Sequence, residues 1–426
     1  MTTSAFPSQL AYFPEVTQGT PPVNGAAWVA GGRRIRHIAS VLDPAGLQQS
    51  VVEDERSQTR VFAHNTKVKG LRGVQQPVGL YLTGSGAVTA DGDQIAETDL
   101  MTILEHALGG LHRSNSTVLD GGGHTTTVIN VEDATNIIEG CLIAVSDTSA
   151  GTPPVVRRVL DVSTLAITLD EALPFTPVDD DVVHGMATVY IDETVLVDSN
   201  GSGGPFTFSW LVQKGLPNAL ENWQLQGCKL QLDSLSLPRG ELPSIAGTIF
   251  AASFERPGVA PSPTWTAAPS GSAPVSIGPN CEIQLQTVGT TTANHVQVSE
   301  FSVSIGVPVV PIETVTEVQS NMEGIAAYCT QPADTMITMG IVPMASSHWA
   351  DFDADTFKLV RWTKLASPGQ IFTIQASNCE IAAQPKRGVQ NASSRVDLEL
   401  RAHAPAEITG ASNQALVTSK ILIGVG

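Results

Sequence analysis

The sequence predicts a mainly β protein with two related β-domains, each flanked by a helix, and a small β-domain inserted into the first. Three observations carry this. One apolar phrase is spelled twice, as Leu230-Gln231-Leu232-Asp233-Ser234-Leu235-Ser236-Leu237 with Gly240, and as Val296-Gln297-Val298-Ser299-Glu300-Phe301-Ser302-Val303 with Gly306. In each copy apolar residues alternate, skip one place and alternate again, so a bulge is needed to keep one face of the strand apolar. The 38 Gly and 27 Pro, among many Thr and Val, are the composition of strands and turns. Strong helical spacing occurs at one stretch only.

Taken in order, the first 30 residues hold Pro7, Pro14, Pro21 and Pro22 and read as an extended segment, either an arm laid on a neighbouring subunit or a loose terminus. Residues 33–90 read as strands broken by glycines, clearest at Val78-Gly79-Leu80-Tyr81-Leu82. Thr98 to Leu108 is the best helix. Thr98 caps it, Asp99 suits the N-terminal dipole, and Leu100, Ile103, Leu104, Ala107 and Leu108 share one face before Gly109-Gly110. Residues 117–195 contain strand-like runs at Thr125–Val131, Cys141–Val145, Val155–Val159, Leu165–Leu169 and Ala187–Ile191, a self-contained β-barrel or sandwich that ends at a Gly-Ser loop. The Pro-, Ser- and Ala-rich stretch from Arg256 to Pro274 marks a domain boundary. A second, weaker helix is expected from Glu313 to Tyr328, despite Gly324. A further echo, Asn280-Cys281-Glu282-Ile283 against Asn378-Cys379-Glu380-Ile381, does not fit the same tandem alignment. The domains expected are 1–116 with 196–258, the insert 117–195, and 259–426.

The balance of the 426 residues is 42% apolar, 15% charged and a net charge of −18. Such a chain buries ample cores, leaves surface for neighbours to cover, and is unsuited to wrapping DNA or binding an anionic membrane. No basic segment leads into an apolar core near Met1 and no apolar run is long enough to span a bilayer, so neither a secretory signal nor a membrane partner is expected. Cys141, Cys228, Cys281, Cys329 and Cys379 form no CxxC pair, which fits reduced thiols made in a cytoplasm.

Catalytic motifs are missing: there is no HExxH, GxSxG or Walker loop. Gly84-Ser85-Gly86 lacks the third glycine of a dinucleotide loop and reads as a turn. Asp351, Asp353 and Asp355 would share one face of a strand, yet Thr356 and Trp362 stand where a calcium loop needs Gly and a bidentate acid. Asp179-Asp180-Asp181 with His184 reads as an acidic turn. No enzyme, cofactor or metal is therefore expected. Arg33, Arg34 and Arg36, beside His37, are the densest basic cluster, either an assembly contact to an acidic neighbour or a solvated strand face.

Three stretches carry a family resemblance: Leu80-Tyr81-Leu82 through Leu100–Leu108 to Gly109-Gly110; Trp223-Gln224-Leu225-Gln226-Gly227-Cys228 through the bulged strand to Gly247-Thr248-Ile249-Phe250; and Pro368-Gly369-Gln370-Ile371-Phe372-Thr373-Ile374 followed by Val396–Leu400. With them the chain resembles the major tail tube proteins of long, non-contractile-tailed bacteriophages, in the form with two tube domains per chain. The insert at 117–195 departs from that pattern. The resemblance implies a β-sandwich with a flanking helix in each tube domain and sheets joined between domains around a lumen. It further implies a homotrimeric ring with pseudo-sixfold symmetry, and rings stacked head to tail. It places the protein in the virion tail, assembled in the host cytoplasm, with the tape measure and tail terminator proteins as partners and DNA passing through without specific binding. The acid excess then predicts a net-negative lumen wall, and the insert is expected on the outside, dispensable for ring closure. The competing reading is a tail-tip protein that binds a receptor or carbohydrate, for which Trp28, Trp210, Trp223, Trp265, Trp349 and Trp362 are the available rings.

Overall fold

The computed structural model describes residues 8–15, 20–38, 51–53, 67–69, 74–87, 89–196, 207–216, 219–237, 242–255, 260–265, 270–275, 281–292, 294–313, 325–330, 333–342, 347–364, 367–390 and 393–426. The protein is mainly β. The first part of the chain forms β1 (Ser8–Pro14), α1 (Gly25–Gly31), β2 (Arg33–Ile35), a hairpin of β3 (Val51–Glu53) and β4 (Lys67–Lys69), β5 (Val74–Tyr81), α2 (Asp99–Leu108) and β6 (Gly109–Arg113). A separate six-stranded sheet follows, made of β7 (Thr117–Val118), β8 (Val128–Asn130), β9 (Leu142–Ser146), β10 (Val155–Ser163), β11 (Ala166–Leu169) and β12 (Val182–Gly185). The chain then returns through β13 (Ala187–Ile191), α3 (Glu193–Leu196), β14 (Phe208–Leu216), β15 (Ala219–Ser236) and β16 (Ser244–Glu255). Its remainder forms β17 (Cys281–Thr287), β18 (Val298–Ser304), β19 (Val309–Glu313), β20 (Ile325–Thr330), β21 (Thr335–Ile341), α4 (Ser347–Asp353), β22 (Lys358–Lys364), β23 (Phe372–Ile381), β24 (Lys386–Gln390), β25 (Ser393–Ala402), α5 (Gln414–Thr418) and β26 (Leu422–Val425).

One strand order occurs twice. In the first barrel the edge-to-edge order is β2-β1-β14-β15-β16-β5, and the bridge His37↔Leu80 brings β5 back to the stretch after β2. In the second it is β17-β22-β23-β25-β21-β18, closed by the bridge Gln284↔His295 and by Val296 N–H donating to Ile283 O. The registers match as well. Ala251 lies opposite Cys228 and Val74, and Ala402 lies opposite Cys379 and Thr335. Phe208↔Cys228 shifts to Trp210↔Leu225 across a bulge, and Lys358↔Cys379 shifts to Val360↔Ala376 across another. Gly79 and Gly340 occupy matching places. A Cβ on Gly79 would come within 3.0 Å of Ile38, and one on Gly340 within 2.8 Å of Ser299, because the closing strand runs close by.

Alternation of apolar residues builds both cores. Leu10, Tyr12, Trp210 and Val212 point into the first barrel, and Ile283, Leu285, Val360 and Trp362 into the second. The two interiors form one contiguous apolar cluster. Helix α2 closes the first barrel with Leu100, Ile103, Leu104, Ala107 and Leu108. Thr98 Oγ1 accepts from Met101 N–H, and Gly109 takes the left-handed conformation (φ 94°) that ends the helix.

Several sequence expectations are corrected. Ser8–Pro14 is no arm: β1 pairs with β14 and β2 of its own barrel, since Leu10 and Tyr12 alternate as a strand. A short helix, α1, follows because the Asn24 side chain caps it by accepting from Ala27 N–H, and Trp28 is buried beneath. The expected second helix is absent where described: Glu313 ends β19 and Ile325–Tyr328 belong to β20, its antiparallel partner, while 314–324 lie outside the described residues. β-branched Val309, Val310 and Ile312 explain the strand. The helix of the second barrel is α4. It contains Asp351 and Asp353, so the three aspartates do not alternate on a strand; Trp349 and Phe352, three apart, turn one face to the core. Ala187–Ile191, expected to close the insert, runs instead in the large sheet between β6 and β26.

Candidate assembly interface

The joint between the barrels is a strand pairing. β15 lies antiparallel to β18, with Ser234↔Ser304, Leu235↔Val303 and Ser236↔Ser302. These are the two strands that carry the repeated phrase, and Ser236 and Ser302 hold the same place in it. The joint is therefore a local two-fold meeting of like with like. Each strand bulges one residue into the same step. Register shifts between Leu232 and Ser234 against β16, and between Val298 and Glu300 against β21. The bulge keeps Leu230, Leu232, Leu235 and Leu237 facing inward, and all are buried. The Asp233 carboxylate at the first bulge accepts from Gln231 Nε2 and, at 2.9 Å, from Thr248 Oγ1. Backbone bonds from Ile305 N–H to Asp233 O and from Leu237 N–H to Phe301 O, both 3.1 Å, extend the pairing. The β19–β20 hairpin of the second barrel also reaches across: Tyr328 Oη donates to Gly227 O at 2.7 Å, and Val309 N–H donates to Gln231 Oε1 at 2.8 Å.

A second joint ties the insert to the second barrel rather than to the first, whose chain carries it. Arg361 on β22 is fully buried and makes four side-chain contacts. Its Nη1 donates to Glu171 Oε2 at 2.7 Å and Gln284 Oε1 at 3.1 Å, its Nε to Gln375 Oε1 at 2.8 Å, and its Nη2 pairs with Asp170. Arg157 Nη1 lies 3.5 Å from the same Glu171 oxygen, and burial, with Arg361 nearby, pushes its pKa down to about 10. Arg157 and Arg361 face Asp170 and Glu171, and the buried Arg158 also lies in the field of Asp170 and Arg361, so the cations are offset by nearby carboxylates. Around it the insert's core includes Ile371, Leu416 and Leu422 from beyond β22. β26 completes this joint by pairing with β23 on one side and β13 on the other.

Of the basic cluster, Arg33 Nη1 lies 3.8 Å from both Glu97 Oε1 and Asp99 Oδ1 at the start of α2. Arg34 sits over the Trp265 ring at 5.9 Å and within 3.5 Å of Gln9 Oε1. Arg36 uses its backbone, accepting from Tyr81 N–H at 3.3 Å, while its Nε meets no hydrogen-bond partner among the described residues. Arg33 and Arg34 thus make separate contacts rather than converge on one. The Pro- and Ser-rich linker packs on the first barrel: Ser270 Oγ accepts from Asp99 N–H at 2.8 Å, and Ser270 N–H donates to Asp99 Oδ2 at 2.9 Å.

Among the described residues no three His, Cys, Asp or Glu side chains converge as metal ligands, and no helix is long and apolar enough to cross a membrane. Asp179 pairs with His124 at 3.0 Å, Asp180 turns the chain at φ 69°, and buried Asp181 accepts from Thr148 and Val178. Asp351 holds Lys358 Nζ at 2.8 Å. The Cys141 and Cys379 thiols are pushed up to about 12 by burial, which makes them unreactive.

Sequence reasoning missed Arg361, Asp170 and Glu171. The available signal was a charged residue in an otherwise apolar strand, Leu359-Val360-Arg361-Trp362. No protein-family model matches this chain, and no curated protein matches its sequence.

Proposed function

We propose that the chain is a structural subunit of a bacteriophage tail tube. Three copies close a ring of six barrels, rings stack head to tail, and DNA passes along the lumen on its way to the host. The observation that carries this reading is the repeat: two barrels of the same strand order and register, fused edge to edge through β15 and β18. A chain that holds two like barrels and joins them through a strand edge is built to continue that joint with further copies. The tape measure and tail terminator proteins are the partners this role requires, and the virion tail is its place. In this reading the protein is not an enzyme and takes no cofactor.

The test is the mass and shape of the assembled protein. Electron microscopy of purified protein should show rings or tubes, and native mass measurement should give three chains per ring. Six chains per ring would remove the idea that one chain supplies two of six positions. Discrete particles with affinity for glycans would favour a receptor- or carbohydrate-binding protein of the tail tip.

A further inference from the structure

The two barrels meet along two seams. At the first, β15 and β18 share three residue pairs among the described residues, and the hairpin contacts at Gly227 and Gln231 lie on that same β15. Neighbouring strands adopt mutual rotations of roughly −10 to −35°, so one short pairing leaves the angle between two bodies loosely set. The second seam is the pairing of β13 with β26, also short, with four residue pairs. This is where the insert sits. Its neck is rooted in the first part of the chain. Ser114 Oγ accepts from Met186 N–H at 2.9 Å and donates to Met186 O at 3.0 Å, and Ser116 Oγ accepts from Gly185 N–H at 3.0 Å. Asn115 Nδ2 donates to Gly92 O at 2.9 Å, which ties the neck to the stretch before α2. From this root the insert covers both strands of the second seam. Tyr190 of β13 and Leu422 of β26 belong to its apolar core, and Leu142 N–H donates to Thr188 Oγ1 at 2.9 Å.

The far side of the insert grips the second barrel with directional bonds. Besides the Arg361 contacts, Gln375 Nε2 donates to Asp170 Oδ2 at 3.1 Å, Arg158 Nη2 to Val417 O at 2.6 Å, and Ala172 N–H to Thr291 O at 3.0 Å. Apolar surfaces can slide over one another. A buried charge cluster resists sliding, because a displaced ion loses its partner without regaining water. We infer that the insert is a clamp on the second seam, and that through the Arg361 cluster it fixes the angle between the two barrels. This goes beyond the ring reading and does not depend on it. If rings form, the clamp sets the bend that each chain contributes. The insert is then needed for rings of uniform size, rather than dispensable for closure.

Spin labels at Val23→Cys, ahead of α1, and Val389→Cys, on β24, would report the separation of the barrels in the single chain, since both positions are exposed. Cys281→Ser and Cys329→Ser remove the two native thiols that are not buried. The test variant adds Asp170→Asn and Glu171→Gln, which keep the shape and remove the charges that Arg361 pairs with. The labelled parent should give one narrow distance. The variant should give a distribution at least about twofold broader, as the seams take up the roughly 25° spread open to paired strands. A loss of stability alone would lower the unfolding midpoint and leave the distance in the folded chain unchanged. A variant as narrow as the parent overturns the inference. If the variant does not fold, amide exchange in the wild type decides. The Ala172 and Leu142 N–H groups reach out of the insert's sheet to Thr291 and Thr188, whereas Val159 N–H bonds to Cys141 O within the insert. Slow exchange at all three supports a seated clamp; fast exchange at Ala172 and Leu142 with Val159 protected overturns it. Protein that never forms rings yet gives the narrow distance, broadened in the variant, overturns the ring reading and leaves the clamp standing.

Discussion

In the first barrel Trp210 lies opposite Tyr12 and Leu225; at the matching place in the second, Val360 lies opposite Leu285 and Ala376. At the next inward position the sizes reverse, with Val212 between Leu10 and Trp223 and Trp362 between Ile283 and Ile374. The large ring has moved along the strand while the bulges, the register and the inward set stayed. A core of this kind tolerates redistribution of volume as long as the pattern is kept. The outer faces differ more. Ala11 and Leu211 pack under Trp28 of α1, whereas of their counterparts Gln284 and Arg361, Arg361 donates to Gln284 and meets Asp170 and Glu171 of the insert. One barrel position is thus covered by an apolar helix in one repeat and by a charged domain in the other.

That difference gives the largest expected effect. Arg361→Leu copies the first barrel's residue into the second and strips Asp170 and Glu171 of their main cation. Breaking a buried pair in this way costs about 3–5 kcal/mol, which urea unfolding would register as a lower midpoint. A change below about 1 kcal/mol would show that the insert can settle without the pairing. A smaller effect depends on pH. His106 on α2 packs on the Phe208 ring at 4.1 Å, and burial holds its pKa down at about 4. A base whose folded pKa is depressed takes up protons more readily when unfolded, so stability falls as pH drops from about 6.5 to about 4. The loss is on the order of 2–3 kcal/mol, and His106→Gln should flatten that limb of the stability profile. The smallest is Thr98→Ala, which removes the cap of α2 and should cost about 1 kcal/mol, read by thermal unfolding.

Local chemistry was the legible part. Thr98, the apolar face of α2 and Gly109 fixed that helix without tertiary help, and the skipped place in the repeated phrase located both bulges, at Asp233 and Ser299. What the phrase does not convey is which strands are equivalent. Its two copies pair with each other across the joint, while the register counterpart of Leu230 is Ile381, whose neighbours share little spelling with it. The Asn-Cys-Glu-Ile echo is chance in this frame, because Cys379 matches Cys228 and Cys281 matches Ser8. Of the helix expected over Glu313–Tyr328, the described ends, Glu313 and Ile325–Tyr328, are strand instead, because their backbone groups pair with each other across β19 and β20. The Arg361 cluster was hidden for another reason: its partners are brought together only by the docking of a separate sheet, and no local period encodes that.

The insert's six-stranded sheet draws all its strands from residues 117–185, whereas β1 must wait for β14 and β13 for β26. Pairings between strands far apart in sequence form slowly, because each must close a long loop first. A domain that folds early and brings β6 beside β13 converts the long excursion between α2 and β14 into a short one. The insert would then act as a kinetic staple, lowering the entropic barrier to closing the first barrel before any neighbour is met.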